Sequence, residues 1–528
     1  MAELYPILPG AAPSKGGAEE VGNKAWNLML MAQAGLPVPP AFVLPTAWCQ
    51  RSDSAVAPQM REVLSKGIGQ LEAATGLRLG ATRRPLLVSV RSGAAVSMPG
   101  MMETVLDVGL NAVTVEALIR LTGNPRLAWD SYRRFIQGYA EVVAGLPMAP
   151  FDRLLAAELR SAETDNESDL DHRNLRNLTQ AMLNCYLTLT GSAFPADPYD
   201  QLTAATAAVF RSWDAPKAVS YRRLNQISDA PGTAVTIQTM VYGNAGGASG
   251  AGVGFTRNPA TGARELYFDF QFNAQGEDVV GGRHRLSDNE RLRQVLPDVW
   301  SRLNQTCHEL EKLFCDAQDF EFTVQTGELF LLQARRAKRT DWAALTIAVD
   351  MVNEGLLKPN EAIARLQQIK LDEVVRISVE LPLPKPLAVA QVAGMGVASG
   401  AIALDSGAVV RLAATHTKAI LVRQQTLTTD IEGMALAVGV LTASGGRTSH
   451  AAVVARQLGK VCLIGCADLK IDLEHRQCRI GGKLLNEGDL LSLDGNTGGV
   501  YLNRISTIAE RPVEALAAIA LWSAAAAA

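Results

Sequence analysis

Hydrophobic and polar positions repeat with different periods along the chain, and these changes of period divide it into segments. Residues 23–36, NKAWNLMLMAQAGL, place apolar side chains at helical spacing, and Gly35 and Pro37 supply the stop signal of a helix. Residues 85–92, PLLVSVRS, are a run of apolar and β-branched side chains, which predicts a buried strand. Residues 113–210 return to the helical period, which predicts a helical insertion.

Strand-like patterns dominate residues 233–340, and the most regular of them predicts a hairpin. FEFTVQ and LFLLQAR are joined there by Thr-Gly-Glu, a short connection typical of two antiparallel strands. Residues 343–371 have a helical pattern with a polar face, and LPLPKPLA at residues 381–388 is typical of a linker. Residues 389–505 combine short strands with helices, an α/β pattern with its own candidate core. The final stretch, ALAAIALWSAAAAA, is expected to be a frayed helical tail.

Composition and charge narrow the class of protein. A length of 528 residues predicts about three to four domains. The net charge of -3 gives no electrostatic reason to expect nucleic acid or an anionic membrane as a partner. No apolar stretch reaches the length of a membrane span, and MAELYPILPG does not have the pattern of a signal peptide. The seven cysteines are scattered, which favours reduced thiols and a cytoplasmic location.

Two loops offer glycine amides for phosphate binding. Residues 93–102 follow the strand that carries Arg91, and residues 243–254, GNAGGASGAGVG, hold six glycines. A glycine-rich loop is more often a simple turn, and neither stretch fits the dinucleotide-binding or Walker patterns. The candidate nucleotide contacts in these loops are Gly100, Met101, Gly250 and Gly252.

The predicted hairpin gathers two carboxylates, an amide and a guanidinium. Asp319 and Glu321 are two residues apart on one strand and share a face, as Gln333 and Arg335 do on the returning strand. Mg²⁺ takes one or two carboxylates together with phosphate oxygens, which makes Asp319 and Glu321 candidate metal ligands. The alternative is a solvated sheet face that carries a cross-strand ion pair.

The stretch GGRTSHAAVVARQLG places His450 directly before a predicted helix. A helix N-terminus disfavours a cationic imidazolium and favours a bound anion, so His450 would be neutral beside a phosphoryl group. A neutral imidazole is a competent nucleophile. The alternative is a surface helix capped by Thr448 or Ser449, with an incidental histidine.

Read together, these stretches resemble the pyruvate phosphate dikinase family of phosphotransferases. The resemblance runs in order over most of residues 20–505, through NKAWNLMLMAQAGLPVP, LLVSVRSGAAVSMPGMMETVLDVGLN, SGAGVGFTRNPATG, DFEFTVQTGELFLLQARRAKRT and GGRTSHAAVVAR. The stretches SMPGMMETVLDVGLN and SYRRF favour the dikinase over its phosphoenolpyruvate synthase relative.

The resemblance implies an α/β and α+β multidomain fold, in which an ATP-grasp nucleotide-binding domain precedes a compact α/β phosphohistidine swivelling domain. It implies these boundaries: an ATP-grasp N-terminal lobe at 1–112, a helical insertion at 113–210, a C-terminal lobe at 211–340, a helical segment and linker at 341–388, the phosphohistidine domain at 389–505 and an Ala-rich tail at 506–528. It further implies that ATP and inorganic phosphate phosphorylate His450 with Mg²⁺ as cofactor, releasing AMP and diphosphate.

Residue roles carry over from the same resemblance. Beside the nucleophile His450, it implies that Lys24 and Arg91 contact ATP phosphates, that Glu321 and Gln333 serve the metal and phosphates, that Asp319 and Arg335 complete the site, and that Glu277 faces the nucleoside. Thr448 matches a residue that a regulatory kinase phosphorylates in some members of the family.

Four features depart from the family pattern. Asn23 replaces a glycine and stiffens the backbone, Ala251 replaces a threonine and removes a hydroxyl near the phosphates, and Arg447 replaces a methionine and adds a charge beside the nucleophile. The family's C-terminal barrel, which binds pyruvate or phosphoenolpyruvate, needs about 250 residues. Only 24 residues follow Arg504. We therefore expect the barrel on a separate polypeptide; the alternatives are another phosphoryl acceptor or a non-catalytic nucleotide-binding remnant.

Overall fold

The chain folds into two compact units. The computed structural model describes residues 4–49, 56–96, 98, 101–164, 166–229, 232–280, 289–382, 384–445 and 450–527. The first unit comprises Met1–Gly246 and Phe330–Ala334, and the second comprises Gly247–Leu329 and Arg335–Ala528. Each unit combines helices with sheets, so the chain is a mixed α/β multidomain protein, as the sequence predicts.

The first unit is built on a five-stranded antiparallel sheet in the order β1-β2-β7-β5-β6, beside a parallel pair of β3 and β4. The strands are β1 Tyr5–Ile7, β2 Ala41–Leu44, β3 Arg78–Leu79, β4 Pro85–Leu86, β5 Val88–Gly93, β6 Thr104–Val108 and β7 Ala234–Thr239. All side chains of β2 and β7 are buried, because helices and neighbouring strands cover both of their faces.

Eight helices accompany this sheet in the described part of the first unit. They are α1 Gly17–Gln33, α2 Val56–Thr75, α3 Ala112–Thr122, α4 Pro125–Val142, α5 Ala149–Ser161, α6 His172–Thr190, α7 Pro198–Arg211 and α8 Pro216–Leu224. Local signals set their ends: the Asn111 side chain accepts from the N–H groups of Val113 and Thr114 at the start of α3, and Gly123, with φ 67°, ends it.

The second unit begins with a four-stranded sheet in the order β11-β10-β8-β9. Its elements are β8 Gly250–Phe255, β9 Tyr267–Phe272, α9 Gly276–Val280, α10 Asn289–Val295, α11 Pro297–Phe314, β10 Gln318–Gln325 and β11 Glu328–Arg336. The predicted hairpin is present as β10 and β11. Its connection is Thr326 and Gly327, which both have positive φ, as a tight two-residue hairpin turn requires.

Residues 388–505 form a further layered fold within the second unit. An eight-stranded sheet in the order β13-β23-β22-β15-β16-β17-β18-β14 has separate apolar clusters, and the pairs among β15, β16, β17 and β18 are parallel. The elements are β13 Ala388–Val389, β14 Gln391–Gly394, β15 Val397–Ala403, α14 Ser406–Ala414, β16 Ala419–Arg423, α15 Ile431–Leu436, β17 Gly439–Thr442, α16 His450–Gln457, β18 Val461–Ile464, β19 Leu469–Asp472, β20 Gln477–Ile480, β21 Lys483–Asn486, β22 Leu490–Asp494 and β23 Gly499–Leu502. Strands β19, β20 and β21 make a small sheet of their own.

The C-terminal stretch packs as an integral helix and not as the expected frayed tail. The elements flanking the layered fold are α12 Asp341–Asn353, α13 Pro359–Leu366, β12 Arg376–Val379, β24 Thr507–Glu510 and α17 Val513–Ala527. Strand β12 pairs with β24, and Ile519 of α17 is buried against Leu345, Ala362 and Leu366. Among the described helices, none has the length and apolar character needed to cross a membrane.

Candidate active site

Helix α1 is broken two residues before the lysine predicted to bind phosphate. The backbone leaves the helical region at Gly22, with φ 77° and ψ 152°. A Cβ atom on Gly22 would lie 2.0 Å from the carbonyl oxygen of Gly93, so only glycine fits at this approach. The next residue, Asn23, donates its N–H to the carbonyl oxygen of Ala94 at 3.0 Å. Lys24 is therefore held beside the end of β5.

Strand β5 carries Arg91, the second predicted phosphate ligand. Its side chain is half-buried, and Nη1 donates to Oε1 of Gln238 at 3.4 Å and to the carbonyl oxygen of Leu332 at 3.2 Å. Leu332 directly precedes Gln333, whose side chain is largely buried in the same unit. Within the first unit, Lys24 thus lies beside the end of β5, the strand that carries Arg91. Arg91 in turn contacts the backbone one residue before Gln333.

The hairpin of the second unit brings three of the predicted residues together. Phe320 and Phe322 of β10 pack on the glycines of β8, which leaves Asp319 and Glu321 on the opposite face. Arg335 donates Nε–H to Oδ2 of Asp319 at 2.8 Å. Burial lowers the pKa of Arg335, but the charges of Asp319 and Glu321 outweigh it and raise the pKa above its ordinary value. Arg335 therefore stays cationic between two carboxylates.

Lys338 is a charged neighbour of this group that the motif reasoning missed. Its pKa is lowered by burial and by the nearby charge of Arg335, while Asp319 acts in the opposite direction. The basic run RRAKR immediately after the hairpin was the available signal. Lys338 adds a second cation close to Asp319 and Arg335.

The glycine-rich stretch at residues 243–254 is only partly a loop. From Gly250 onward it is β8, and Cβ atoms on Gly250 and Gly252 would lie 2.2 Å from Phe270 and 2.3 Å from Phe322. These glycines are required because aromatic rings lie over them, a packing role that the sequence does not reveal. Their contact with nucleotide stays a prediction.

Several predicted residues have other surroundings or lie outside what the structure describes. Met101 packs in a small apolar cluster with Ala94, Met98 and Trp213. Gly100 and Thr448 lie outside the described residues, as do the side chains of Glu277 in α9 and His450. Their roles stay predictions.

The backbone around His450 is that of a strand followed by a helix. Strand β17 belongs to the parallel part of the eight-stranded sheet, and α16 begins at His450. Ala451, Ala452 and Ala455 anchor α16 in the apolar cluster on one side of that sheet. The helix therefore opens near the carboxyl end of a parallel strand, where anions commonly bind.

Comparisons with known proteins agree with this organisation. Residues 52–294 match the family of the pyruvate phosphate dikinase AMP/ATP-binding domain, and residues 415–498 match the mobile domain of PEP-utilising enzymes. Pyruvate, phosphate dikinase of Clostridium symbiosum is 42% identical over 92% of this chain and 56% of its own length. The chain belongs to the pyruvate phosphate dikinase family.

Plant members of the family are equally similar. Pyruvate, phosphate dikinase 2 of Zea mays is 42% identical over 92% of this chain and 56% of its own length. Pyruvate, phosphate dikinase 1 of Oryza sativa subsp. japonica, a chloroplastic protein, is 43% identical over 92% of this chain and 52% of its own. The chain spans about half the length of the curated relatives it matches.

Proposed function

We propose that this chain is a phosphotransferase that uses ATP and inorganic phosphate to phosphorylate His450, with release of AMP and diphosphate. One observation carries the proposal: a single chain, similar to dikinases over 92% of its length, combines an AMP/ATP-binding domain at 52–294 with a mobile domain at 415–498. The histidine that opens α16 lies within the second of these matches. We further propose that the nucleotide-binding region has the ATP-grasp fold.

The donor set on β10 fits Mg²⁺. Asp319 and Glu321 offer two carboxylates on one strand face, and magnesium is held by one or two carboxylates together with phosphate oxygens. When bound, Mg²⁺ would neutralise charge on the transferring phosphoryl group.

The basic residues have distinct tasks in this proposal. The Arg335 guanidinium is held in plane by Asp319, so it can present its remaining N–H groups to phosphate oxygens without reorganising. Lys24 and Arg91 supply fixed positive charge beside the backbone of β5, which suits the phosphates of ATP. His450 at the start of α16 would be neutral and nucleophilic.

An imidazole nitrogen of His450 forms a bond to the β-phosphorus of ATP as the bond from that phosphorus to the AMP oxygen breaks, and the imidazole proton passes to solvent. An oxygen of inorganic phosphate then bonds to the terminal phosphorus as the bond from that phosphorus to the bridging oxygen breaks, which releases diphosphate and leaves the β-phosphoryl group on His450. We propose pyruvate as the final acceptor, bound by a phosphoenolpyruvate/pyruvate barrel, and Thr448 as a target of a regulatory kinase and phosphorylase.

A labelling experiment tests the proposal. The full chain is incubated with ATP labelled with ³²P at the β-phosphorus, Mg²⁺ and inorganic phosphate, and protein-bound label is followed. We expect label that is lost in acid and retained in base, and its disappearance in His450→Ala. His475→Ala, which changes an exposed histidine paired with Asp472, is the matched control and should label normally. Equal labelling of His450→Ala and wild type would refute the proposed nucleophile.

Label without a barrel would leave the acceptor to be identified. Addition of a separately produced barrel domain with pyruvate should discharge the label as phosphoenolpyruvate. Retention of the label under those conditions would favour a different phosphoryl acceptor.

A further inference from the structure

A buried aspartate three residues before Asp319 is surrounded by arginines. Arg339 binds both carboxylate oxygens of Asp316, at 2.6 and 3.0 Å, and Nε of Arg336 lies 2.8 Å from Oδ2. Nη1 of Arg365 is 3.7 Å from Oδ1, and the N–H of Ala317 donates to the same oxygen at 2.8 Å. One carboxylate is thus shared by three guanidinium groups.

This arrangement leaves positive charge in excess. Burial alone would raise the pKa of Asp316, but Arg339, Arg336 and Arg365 together hold the pKa below its ordinary value, so the carboxylate is ionised. Glu361 is a further carboxylate nearby, and its Oε2 accepts the backbone N–H of Lys358 at 2.8 Å. The three guanidinium groups, counted against the carboxylates of Asp316 and of Glu361, which lines the same cleft as Arg336 and Arg365, leave a net charge of about +1.

Two of the three arginines line a cleft of about 580 Å³, which is within the usual range for small-ligand sites. Arg336 and Arg365 form its cationic wall, and Gln367 and Gln368 add side-chain amides. The side chain of Arg336 is 63% exposed and that of Arg365 is 29% exposed. Arg336 approaches Asp316 through Nε, and most of its side chain is exposed and accessible to a ligand.

The rest of the lining is suited to an organic group. Leu357 and Ala364 add apolar side chains to the lining of the cleft. A ligand with oxygens at one end and a short carbon skeleton would therefore match both kinds of lining residue. Forked guanidinium groups bind phosphoryl and carboxylate oxygens in pairs, which a spherical ion does not exploit as well.

The cleft lies on the opposite side of β11 from the candidate active site. Arg335 and Arg336 are consecutive, and successive side chains of a strand point to opposite faces. Arg335 contacts Asp319, whereas Arg336 contacts Asp316. An anion bound by Arg336 would therefore act on the same strand end that holds Arg335, without entering the catalytic face.

We propose that this cleft is a second anion site, which binds a small organic phosphate of a few carbon atoms on the reverse side of the catalytic hairpin. It is independent of the phosphotransferase proposal, because none of its residues serves that reaction. The ligand is recognised by Arg336 and Arg365 through its phosphoryl oxygens, and Leu357 and Ala364 contact its carbon skeleton.

Direct binding to the full chain tests this proposal. The probe is 3-phosphoglycerate, titrated calorimetrically at low ionic strength, with sodium sulfate and glycerol as comparison solutes. We expect saturable binding of one probe per chain that is weakened about tenfold or more in Arg336→Gln, because a charge-assisted contact is lost. The matched control is Arg411→Gln, an arginine with 67% side-chain exposure in another part of the chain, which should bind like wild type.

A second pair of variants does not depend on removal of an arginine. Ala364 is exposed on α13, so Ala364→Glu should fold while placing a negative charge in the cleft, and Ala364→Gln adds similar volume without charge. We expect Ala364→Glu to weaken probe binding at least tenfold more than Ala364→Gln does.

Arg335→Gln separates this site from the catalytic one. It should retain probe binding while losing phosphorylation. Binding lost in Arg335→Gln but kept in Arg336→Gln would mean that the probe occupies the catalytic face, and equal binding in all variants would mean that the cleft is not the site. Either result, like the absence of saturable binding, would overturn the proposal of a second anion site. None of these results would change the outcome of the labelling experiment that tests the phosphotransferase proposal.

Discussion

Asp316 lies just before β10 and Asp319 lies at its start, yet the balance of charge around the two carboxylates differs. Asp316 is shared by Arg336, Arg339 and Arg365. Asp319 is paired with Arg335, and Glu321 adds a second carboxylate beside the same arginine. One group therefore favours anions, while the other can share its oxygens with a cation. Charge balance, more than residue type, distinguishes the two.

The largest expected effect is on stability, at Asp316. Asp316→Asn leaves three guanidinium groups around a neutral amide, and we expect the free energy of unfolding to fall by about 3–5 kcal/mol. The contacts of Asp319 are more open, since the Arg335 side chain is 37% exposed, so Asp319→Asn should cost only about 1–2 kcal/mol. Urea unfolding of the two variants at pH 7 measures the difference, and equal losses would contradict the comparison.

The same variant has a predicted pH dependence. Asp316 has a folded-state pKa below its unfolded value of about 3.9, because burial is outweighed by its arginines. Its carboxylate therefore stabilises the fold above that pH and loses this contribution as the pH falls through the folded-state pKa. The stability gap between wild type and Asp316→Asn should be full at pH 7 and narrow below about pH 4.

The phosphorylation activity should depend on the carboxylates beside Arg335 and not on those of the Asp316 cluster. Glu321→Ala removes a proposed metal ligand, and we expect labelling of His450 to fall by about 100-fold or more while weak nucleotide binding persists. Glu361→Gln is the matched change at the Asp316 cluster and should leave labelling within about twofold, because it alters only the reverse side. Unchanged labelling in Glu321→Ala would show that the metal assignment is wrong.

The neighbouring arginines provide a finer test. Arg335→Lys keeps the charge but loses the planar fork held by Asp319, so labelling should fall about 10- to 100-fold. Arg336→Lys, one residue further along β11, should label within about twofold of wild type. Initial labelling rates of the two variants give the result, and a similar loss in both would place both arginines in the reaction.

Part of this arrangement could be predicted from sequence alone. The period-two pattern of FEFTVQ set Phe320 and Phe322 against one face, and therefore placed Asp319 and Glu321 on the other. The short Thr-Gly connection fixed the return strand and the facing pair of Asp319 and Arg335. Local alternation was enough here because the site is built on regular strands.

Other features depend on contacts between distant residues, which a local pattern does not contain. Gly250 and Gly252 look like loop residues, and only the rings of Phe270 and Phe322 over them show why β8 needs glycine. The Ala-rich end has no amphipathic stripe, yet Ile519 finds an apolar surface on helices far earlier in the chain. The Asp316 cluster likewise requires Arg365 of α13, which no motif links to the hairpin.

The smallest expected effect is the change in the free energy of unfolding in Arg336→Gln. It tests whether the charge of Arg336 stabilises the fold or is available to a ligand. Its side chain is 63% exposed, and Arg339 still binds both oxygens of Asp316 when Arg336 is replaced. Arg336→Gln should therefore lower the free energy of unfolding by less than about 1 kcal/mol, as exposed ion pairs usually do. Urea unfolding of Arg336→Gln, Asp316→Asn and the double variant gives the pairwise coupling directly. A coupling of several kcal/mol would make Arg336 a structural partner of Asp316, whereas a small one leaves its charge free to serve a ligand in the cleft.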